Sequence, residues 1–381
     1  MLITWHAAVE PAYRKLYQEL SLNGVGLLTI TPSCWTEGCR LQRFHEGAQD
    51  SGYEWMTLNT VFTDHIRAFF YPNVISLARR VLAFKPDIFH IMEEPFSASA
   101  AQFTLLRDTF CPNAKIILYS FENIDVYQRF PFGSIQNFNL KRADALTVIP
   151  KEGRNIWERR GFRGTIYDIP LGIDPEVFQP LEGSEQHAGL PFPVEDNSGF
   201  KVGYLGRLVD GKGLDNLIDA THLLKKNGRS ITLFLVGSGS LKKGLEEKAG
   251  TLGISESVRF IDHMEQHQLP AFFHHIDALV LPSVTTPRWK EQFGRVLVEA
   301  MACKVPVVGS SSGEIPNVVG DAGLIFQEGD VRALCESLDA LITDEALREQ
   351  TAQKGFRRVR DMYTWPAVAK KLAGIYEEVL K

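Results

Sequence analysis

The sequence has 381 residues, 44% of them hydrophobic and 23% charged, with a formal net charge of −5. That length exceeds one ordinary core, so two domains are expected, and the mild acidity excludes binding of nucleic acid through overall charge. No apolar run approaches the ~18 residues needed to span a bilayer. Five scattered cysteines (Cys34, Cys39, Cys111, Cys303, Cys335) form no CxxC pair, which points to a reducing compartment and away from a disulfide framework or a zinc site. The opening residues lack the basic start, apolar stretch and cleavage site of a secretory leader, so a cytoplasmic location is the expectation.

In chain order, "LITW" reads as a short strand, "AYRKLYQELS" as a helix and "VGLLTITP" as a second strand. "PDIFHIM", "AKIILYSF" and "ADALTVIP" follow, each an apolar run before a loop and a helical segment, the βαβ pattern of a parallel sheet. Residues 170–199 break this rhythm with prolines, glycines and acids, the composition of a linker. A new series then starts: strand "FKVGYLGRL", helix "LDNLIDATHLLKK", and strands "SITLFLVG", "SVRFI", "DALVLPS" and "KVPVVGS". The last segment, "WPAVAKKLAGIYEEVLK", is an amphipathic helix. The expectation is an α/β protein of two tandem Rossmann-like, doubly wound parallel-sheet domains facing across a cleft, with ligand beyond the carboxyl ends of the strands. The expected boundaries are 1–172 for the first domain, 173–199 for the linker and 200–363 for the second domain. Residues 364–381 are expected to form a helix crossing back to the first.

Three strand-to-helix loops of the second domain carry unusual chemistry. In "YLGRLVDGKG", Arg207 and Lys212 follow a strand and precede a helix, which suits a phosphate; taken alone they read better as two solvated cations. In "LFLVGSGS", Gly237 lets backbone approach a ligand closely, although most such turns are only turns. In "KEQFGRVLVEAMACKVPVV", Glu291 lies in a loop, Phe293, Gly294 and Arg295 near a helix start, and Glu299 about one turn in at ~3.6 residues per turn. A diphosphate at that helix start leaves Glu299 within reach of a ribose and Glu291 near whatever lies beyond the phosphates. The alternative makes Glu299 a paired helix acid and Glu291 an exposed one. Taken together, two cations and two acids so placed describe a site for a sugar nucleotide.

With "GRLVDGKG", the acid–seven–acid spacing of "EQFGRVLVE", "GLIFQEGD" and "IPLGIDPEVFQP", the chain resembles the family-4 retaining glycosyltransferases of GT-B fold. The likeness spans nearly the whole chain and is most specific in the second domain. It implies that Arg207 and Lys212 bind the donor diphosphate, that Glu299 holds the ribose, and that Glu291 contacts the transferred sugar. Backbone amides around Phe293, Gly294 and Arg295 would meet sugar hydroxyls or phosphate, and the base would lie near "FIDHM". It further implies a UDP- or GDP-linked donor, a glycan, lipid-linked or small-molecule acceptor, retention at the anomeric carbon, and neither metal nor cofactor. In a front-face substitution the departing phosphate oxygen takes the acceptor's proton. No DxD motif ends a strand, and the histidines and acids form no clear metal cluster.

The first domain departs from the family pattern. Ala7 and Ala8 stand where a glycine pair is common, and Phe121, Glu122 and Asn123 stand where many members carry a histidine. Glu122, a catalytic candidate, or Asn123 positions the acceptor or touches the donor sugar; the alternative for Glu122 is a loop acid paired with a cation. Glu93 and Glu94 end another strand and are acceptor-side candidates, as is His6, whereas His90 reads as structural. "IRAFFYPNVISLARRVLAF" is either a membrane-surface face or a helix with a core stripe. A lipid-linked acceptor would bring peripheral contact with the inner membrane face. Two other readings stay open: a nucleotide-sugar epimerase on the same fold, and a catalytically degenerate subunit that binds nucleotide sugar. A phosphorylase lacks a marked pyridoxal-phosphate lysine, and a dehydrogenase lacks the dinucleotide fingerprint.

Overall fold

The computed structural model describes residues 1–37, 40–181, 190 and 199–381. Cys39 and most of the proline- and glycine-containing segment, 182–189 and 191–198, lie outside the described residues. The chain forms two compact units, Met1–Gly172 with Thr364–Lys381, and Ile173–Tyr363.

The strands of the first unit are β1 (Leu2–Thr4), β2 (Leu28–Pro32), β3 (Cys34–Glu37), β4 (Arg40–Arg43), β5 (Glu54–Leu58), β6 (Ile88–Ile91), β7 (Lys115–Ser120), β8 (Ala145–Val148) and β9 (Thr165–Asp168). All but β3 and β4, which form a separate antiparallel hairpin, join one sheet in the order β5-β2-β1-β6-β7-β8-β9. Every neighbour in it is parallel. Its helices are α1 (Pro11–Leu22), α2 (Val74–Phe84), α3 (Ala98–Phe110), α4 (Phe132–Leu140) and α5 (Lys151–Arg159). The central strands are covered on both faces, which is why they are written as unbroken apolar runs. Edge strand β5 is only half-buried and mixes Glu54 with Trp55, so its sequence shows no such run.

Helix α2 is shorter than the aromatic stretch suggests. Asn73 caps it by accepting from the Ser76 N–H, and residues 62–72 before it are irregular. Leu77 and Val81 turn into the core, while Phe62, Val74 and Ile75 are exposed. An apolar cavity of about 530 Å³ opens between α2, α3 and α4, lined by Phe70, Val74, Leu105, Leu106 and Ile135 among others. Among the described residues no helix is long and apolar enough to cross a membrane.

The second unit alternates β10 (Phe200–Leu205), α6 (Leu214–Lys226), β11 (Ile231–Val236), α7 (Lys242–Thr251), β12 (Val258–Ile261), α8 (Leu269–His275), β13 (Ala278–Leu281), α9 (Arg295–Ala302), β14 (Val307–Ser310), α10 (Ile315–Val319) and β15 (Leu324–Phe326). Helices α11 (Val331–Thr343) and α12 (Glu345–Met362) follow. Its sheet is parallel throughout, in the order β12-β11-β10-β13-β14-β15. Residues 173–181, read as linker from composition, are anchored to this unit. Ile173 donates its N–H to the Tyr363 carbonyl at 2.8 Å, Phe178 packs on Phe273, and the Leu181 N–H reaches His274 Nε2 at 2.9 Å.

The last helix, α13 (Trp365–Leu380), belongs to the first unit and lies along α1. The Trp365 indole N–H donates to the Ala12 carbonyl at 2.8 Å, and its ring fills the space where a side chain at Gly172 would sit. Further along, Tyr376 Oη meets His90 Nδ1 at 2.8 Å, while His90 Nε2 lies 3.2 Å from Thr147 Oγ1. Burial pushes the His90 imidazole down to about 3.

An unfolded histidine protonates near ~6.5, so between that value and the folded one the unfolded chain binds the extra proton. Stability present above pH ~6.5 is therefore lost as pH falls, by about 1 kcal/mol per pH unit from this group. Urea midpoints measured between about pH 7 and pH 4.5 should fall, and fall less steeply in His90→Gln. Equal slopes in the two proteins would remove His90 as the cause.

Candidate functional site

In each sheet the strand order reverses beside the unit's first strand, between β10 and β13 in the second unit and between β1 and β6 in the first. Loops diverge there and leave a crevice at the carboxyl ends of the strands. Lys212 and Glu291 come together at that point in the second unit, and His6 and Glu93 in the first.

In the second unit, the loop after β10 carries Arg207 and Lys212, and the loop after β13 carries Glu291. Lys212 Nζ lies 2.8 Å from Glu291 Oε2 and 4.3 Å from the centre of the Trp289 ring. Ser283 Oγ donates to the same Glu291 oxygen at 2.9 Å, and the Glu291 carbonyl accepts the Glu314 N–H at 3.0 Å. The Arg207 carbonyl accepts from Tyr204 Oη at 2.9 Å, while its exposed guanidinium makes no hydrogen bond or ion pair with a described residue. Two cations thus share one loop, one held by an acid and one presented to solvent.

Helix α9 starts from Gly294, whose φ of +79° is left-handed and favours glycine. Glu299, one turn in, is buried and paired with Arg295, Nε to Oε1 at 2.9 Å. Burial pushes its carboxyl up, opposed by the Arg295 charge. Phe293 is a core residue packed edge-on to Tyr363. The paired-acid alternative thus describes Glu299, and the exposed-acid alternative does not describe Glu291. "GLIFQEGD" ties neighbouring loops together: Glu328 accepts the Thr285 N–H and donates its own N–H to Ser311 Oγ at 3.0 Å.

The loops also touch through glycine. Gly237, at φ +139°, lies so near the Gly206 carbonyl that a Cβ would come within 1.9 Å of that oxygen. The same distance separates a Cβ at Gly313 from the Glu291 carbonyl. Ser283, Trp289 and Glu314 carried no sequence signal. A serine at a strand end, a tryptophan among polar residues and an acid before a short helix fit any loop.

In the first unit, His6 follows β1 and Glu93 and Glu94 follow β6. Glu93 meets His6 through both oxygens: Oε1 accepts the backbone N–H and Oε2 lies against ring Nδ1, each at 2.6 Å. Glu94 accepts from Ser120 Oγ at 2.8 Å and from the Phe121 N–H at 2.6 Å. Burial, aided by the charge of Glu122, pushes the Glu94 carboxyl up to about 8. Glu122 is paired with Arg160, so the cation-paired alternative holds for it, and Asn123 beside it is buried. Ala7 and Ala8 lie in a short 3₁₀ turn, His6–Val9, whose last two carbonyls accept from buried Arg14 at 3.1 and 3.0 Å. Among the described residues no group of three or more histidines, cysteines and acids is placed to hold a metal ion.

Two parallel α/β units in one chain give the GT-B fold. Sucrose-phosphate synthase from Thermosynechococcus elongatus superimposes with a TM-score of 0.73 at 18% identity, over 99% of this chain and 98% of that one. The Anabaena protein HepE, in a structure with UDP, superimposes with a TM-score of 0.72 at 16% identity, over 99% of both chains. Residues 191–358 match the model of "Glycosyl transferases group 1", so this segment of the chain is similar to that family. The capsular polysaccharide biosynthesis glycosyltransferase CapM of Staphylococcus aureus is 31% identical over 213 residues, covering 55% of this chain and 53% of CapM. The phosphatidyl-myo-inositol mannosyltransferase of Mycobacterium leprae is 31% identical over 226 residues, covering 58% and 56%. The chain spans about half the length of the curated relatives it matches.

A methyl group at Gly237 has no room beside the Gly206 carbonyl. Gly237→Ala should lower the stability of the chain by about 2 kcal/mol or more. Denaturant unfolding checks this, and an unchanged midpoint would mean that the two loops are free to part.

Proposed function

We propose that this protein is a retaining glycosyltransferase that moves a sugar from a UDP- or GDP-linked donor to a hydroxyl on a glycan, lipid-linked or small-molecule acceptor. The observation that carries the reading is the contact between Lys212 and Glu291 at the reversal point of the second unit. In a nucleotide sugar the diphosphate and the sugar are directly bonded, so a cation for one and an acid for the other must be neighbours. Arg207, on the same loop and exposed, supplies a second charge for the diphosphate. HepE, of the same fold, was solved with UDP and with UDP-glucose, which supports a donor of this class.

In this reading the Arg207 and Lys212 side chains and the amides at the start of α9 neutralise the charge that grows on the departing diphosphate. Such pre-placed charges are a large source of catalysis and need neither metal nor cofactor. Glu299 accepts from the ribose hydroxyls and exchanges its present partner, Arg295, for them. Glu291, oriented by Ser283, accepts from hydroxyls of the transferred sugar. Retention follows from a front-face displacement. His6, Glu93, Glu94, Glu122 and Asn123 are assigned to the acceptor side. The exposed apolar side chains around α2 support a lipid-linked acceptor within the same reading.

Calorimetry with UDP, GDP and their sugars, in the presence of a chelator, tests the donor site. Arg207→Ala and Glu299→Ala should each weaken binding of the free nucleoside diphosphate roughly 10- to 100-fold, the worth of one charged hydrogen bond. Glu291→Ala should leave nucleotide affinity within a few-fold and narrow the preference between sugars. Wild-type nucleotide affinity in both of the first two variants would sink the assignment.

A further inference from the structure

We infer that Trp289 is a positioning residue of the donor site, its indole face holding the Lys212 ammonium ready for the diphosphate of a nucleotide. This rests on the transferase reading above and concerns the second unit alone.

Lys212 stands between two glycines against which the loop after β13 is pressed. The Gly211 carbonyl accepts the Val284 N–H at 2.7 Å, and a Cβ at Gly211 would come within 2.8 Å of the Trp289 ring. On the other side of Lys212, a Cβ at Gly213 would lie 1.9 Å from the Pro282 carbonyl oxygen. The backbone that carries Lys212 is therefore fixed at both ends. Trp289 is fixed as well: its carbonyl accepts the Thr286 N–H at 2.7 Å, and its own N–H donates to Thr286 Oγ1 at 3.0 Å. Its half-buried ring rests on the backbone at Gly211 and meets Lys212 Nζ, which lies 4.3 Å from the ring centre. Glu291 Oε2 lies 2.8 Å from the same nitrogen. A tryptophan kept for packing alone has no reason to turn its face to a cation already paired with an acid.

An ammonium has three N–H donors. Glu291 takes one and the ring face occupies a second direction, which leaves the third for a phosphate oxygen. Attraction of a cation to an indole face is electrostatic and asks for no single angle, so the ring keeps its hold as a phosphate approaches. A lysine free in solvent loses the rotamer freedom of its long side chain on binding; here the fold has already removed it. Arg207, on the same loop, shows the contrast, since it is exposed and makes no hydrogen bond or ion pair with a described residue. The donor site thus has one cation set in advance and one left for the ligand to order.

Calorimetry on the full chain, with UDP and GDP in turn, tests this. Trp289→Leu, which keeps an apolar side chain but no ring face, should weaken nucleotide binding about 10-fold, and Trp289→Phe about 3-fold. The same substitutions are then made beside Lys212→Met, where the loss should disappear. A tryptophan that only shaped the loop would cost the same in both backgrounds. The cycle with Trp289→Phe covers the case in which Trp289→Leu fails to fold. Wild-type or tighter binding in the folded Trp289 variants, or a loss undiminished beside Lys212→Met, would overturn the role of Trp289 and leave the transferase reading standing. No binding of either nucleotide by the wild type, or binding that Lys212→Met leaves unchanged, would overturn the donor site of the transferase reading, and the role of Trp289 with it.

Discussion

A parallel strand delivers its following loop to one edge of the sheet only, and the main sheet of each unit is parallel throughout. Every loop able to carry chemistry therefore arrives at the same edge, and the one place where neighbouring loops diverge is beside the first strand, where the order reverses. Lys212 and Glu291 meet at that place in the second unit, 79 positions apart in sequence. His6 and Glu93 meet at its counterpart in the first, 87 positions apart. Neither pair needs special local sequence to bring it together.

The polar groups at these edges are held by other polar groups, and the physical reason is burial. Arg14 is almost wholly enclosed and satisfies its guanidinium with Asp50 and with the carbonyls of Ala8, Val9 and His45. Asp50 is itself held by Tyr53 and by the Gly47 N–H. A buried ion pair of this kind adds little net stability against an apolar substitute, but losing one partner leaves a bare charge. Its effect is therefore to specify a geometry, here that of the turn after β1. Arg295 with Glu299 and Arg160 with Glu122 follow the same logic, with one difference. Arg295 is the less enclosed partner, so Glu299 can change companions without a new buried charge being created.

What the sequence revealed follows from what a single segment can encode. The loops "GRLVDGKG", "VGSGS" and "EQFGRVLVE" were legible because charge and glycine sit beside an apolar strand, and local spacing places them. The two tandem parallel α/β domains were legible from the alternation of apolar runs with helical segments, and the GT-B fold from the family resemblance of the loop motifs. The hairpin of β3 and β4 and the edge strands β5, β9 and β15 were not, because short or half-exposed strands have no apolar run to show. Partnerships were the least legible. Glu122 could be read as a cleft residue or a paired acid, and only the fold brings Arg160 to it. His6 and Glu93 were each candidates by position, yet nothing in either segment announces that both oxygens of one meet the other.

The return of α13 to the first unit has a consequence for how the chain comes to be folded. The second unit is one unbroken stretch and has all its parts once Tyr363 has been made. The first unit, although synthesised earlier, still lacks the helix that covers α1 and the tryptophan that seats against Gly172. Domains usually fold as units in the order of synthesis, and here that order is inverted for completion. The amino-terminal sheet leaves the ribosome with an apolar flank uncovered for the whole time its neighbour is being translated. During that interval the nascent chain is a natural client for a chaperone that shields such a flank.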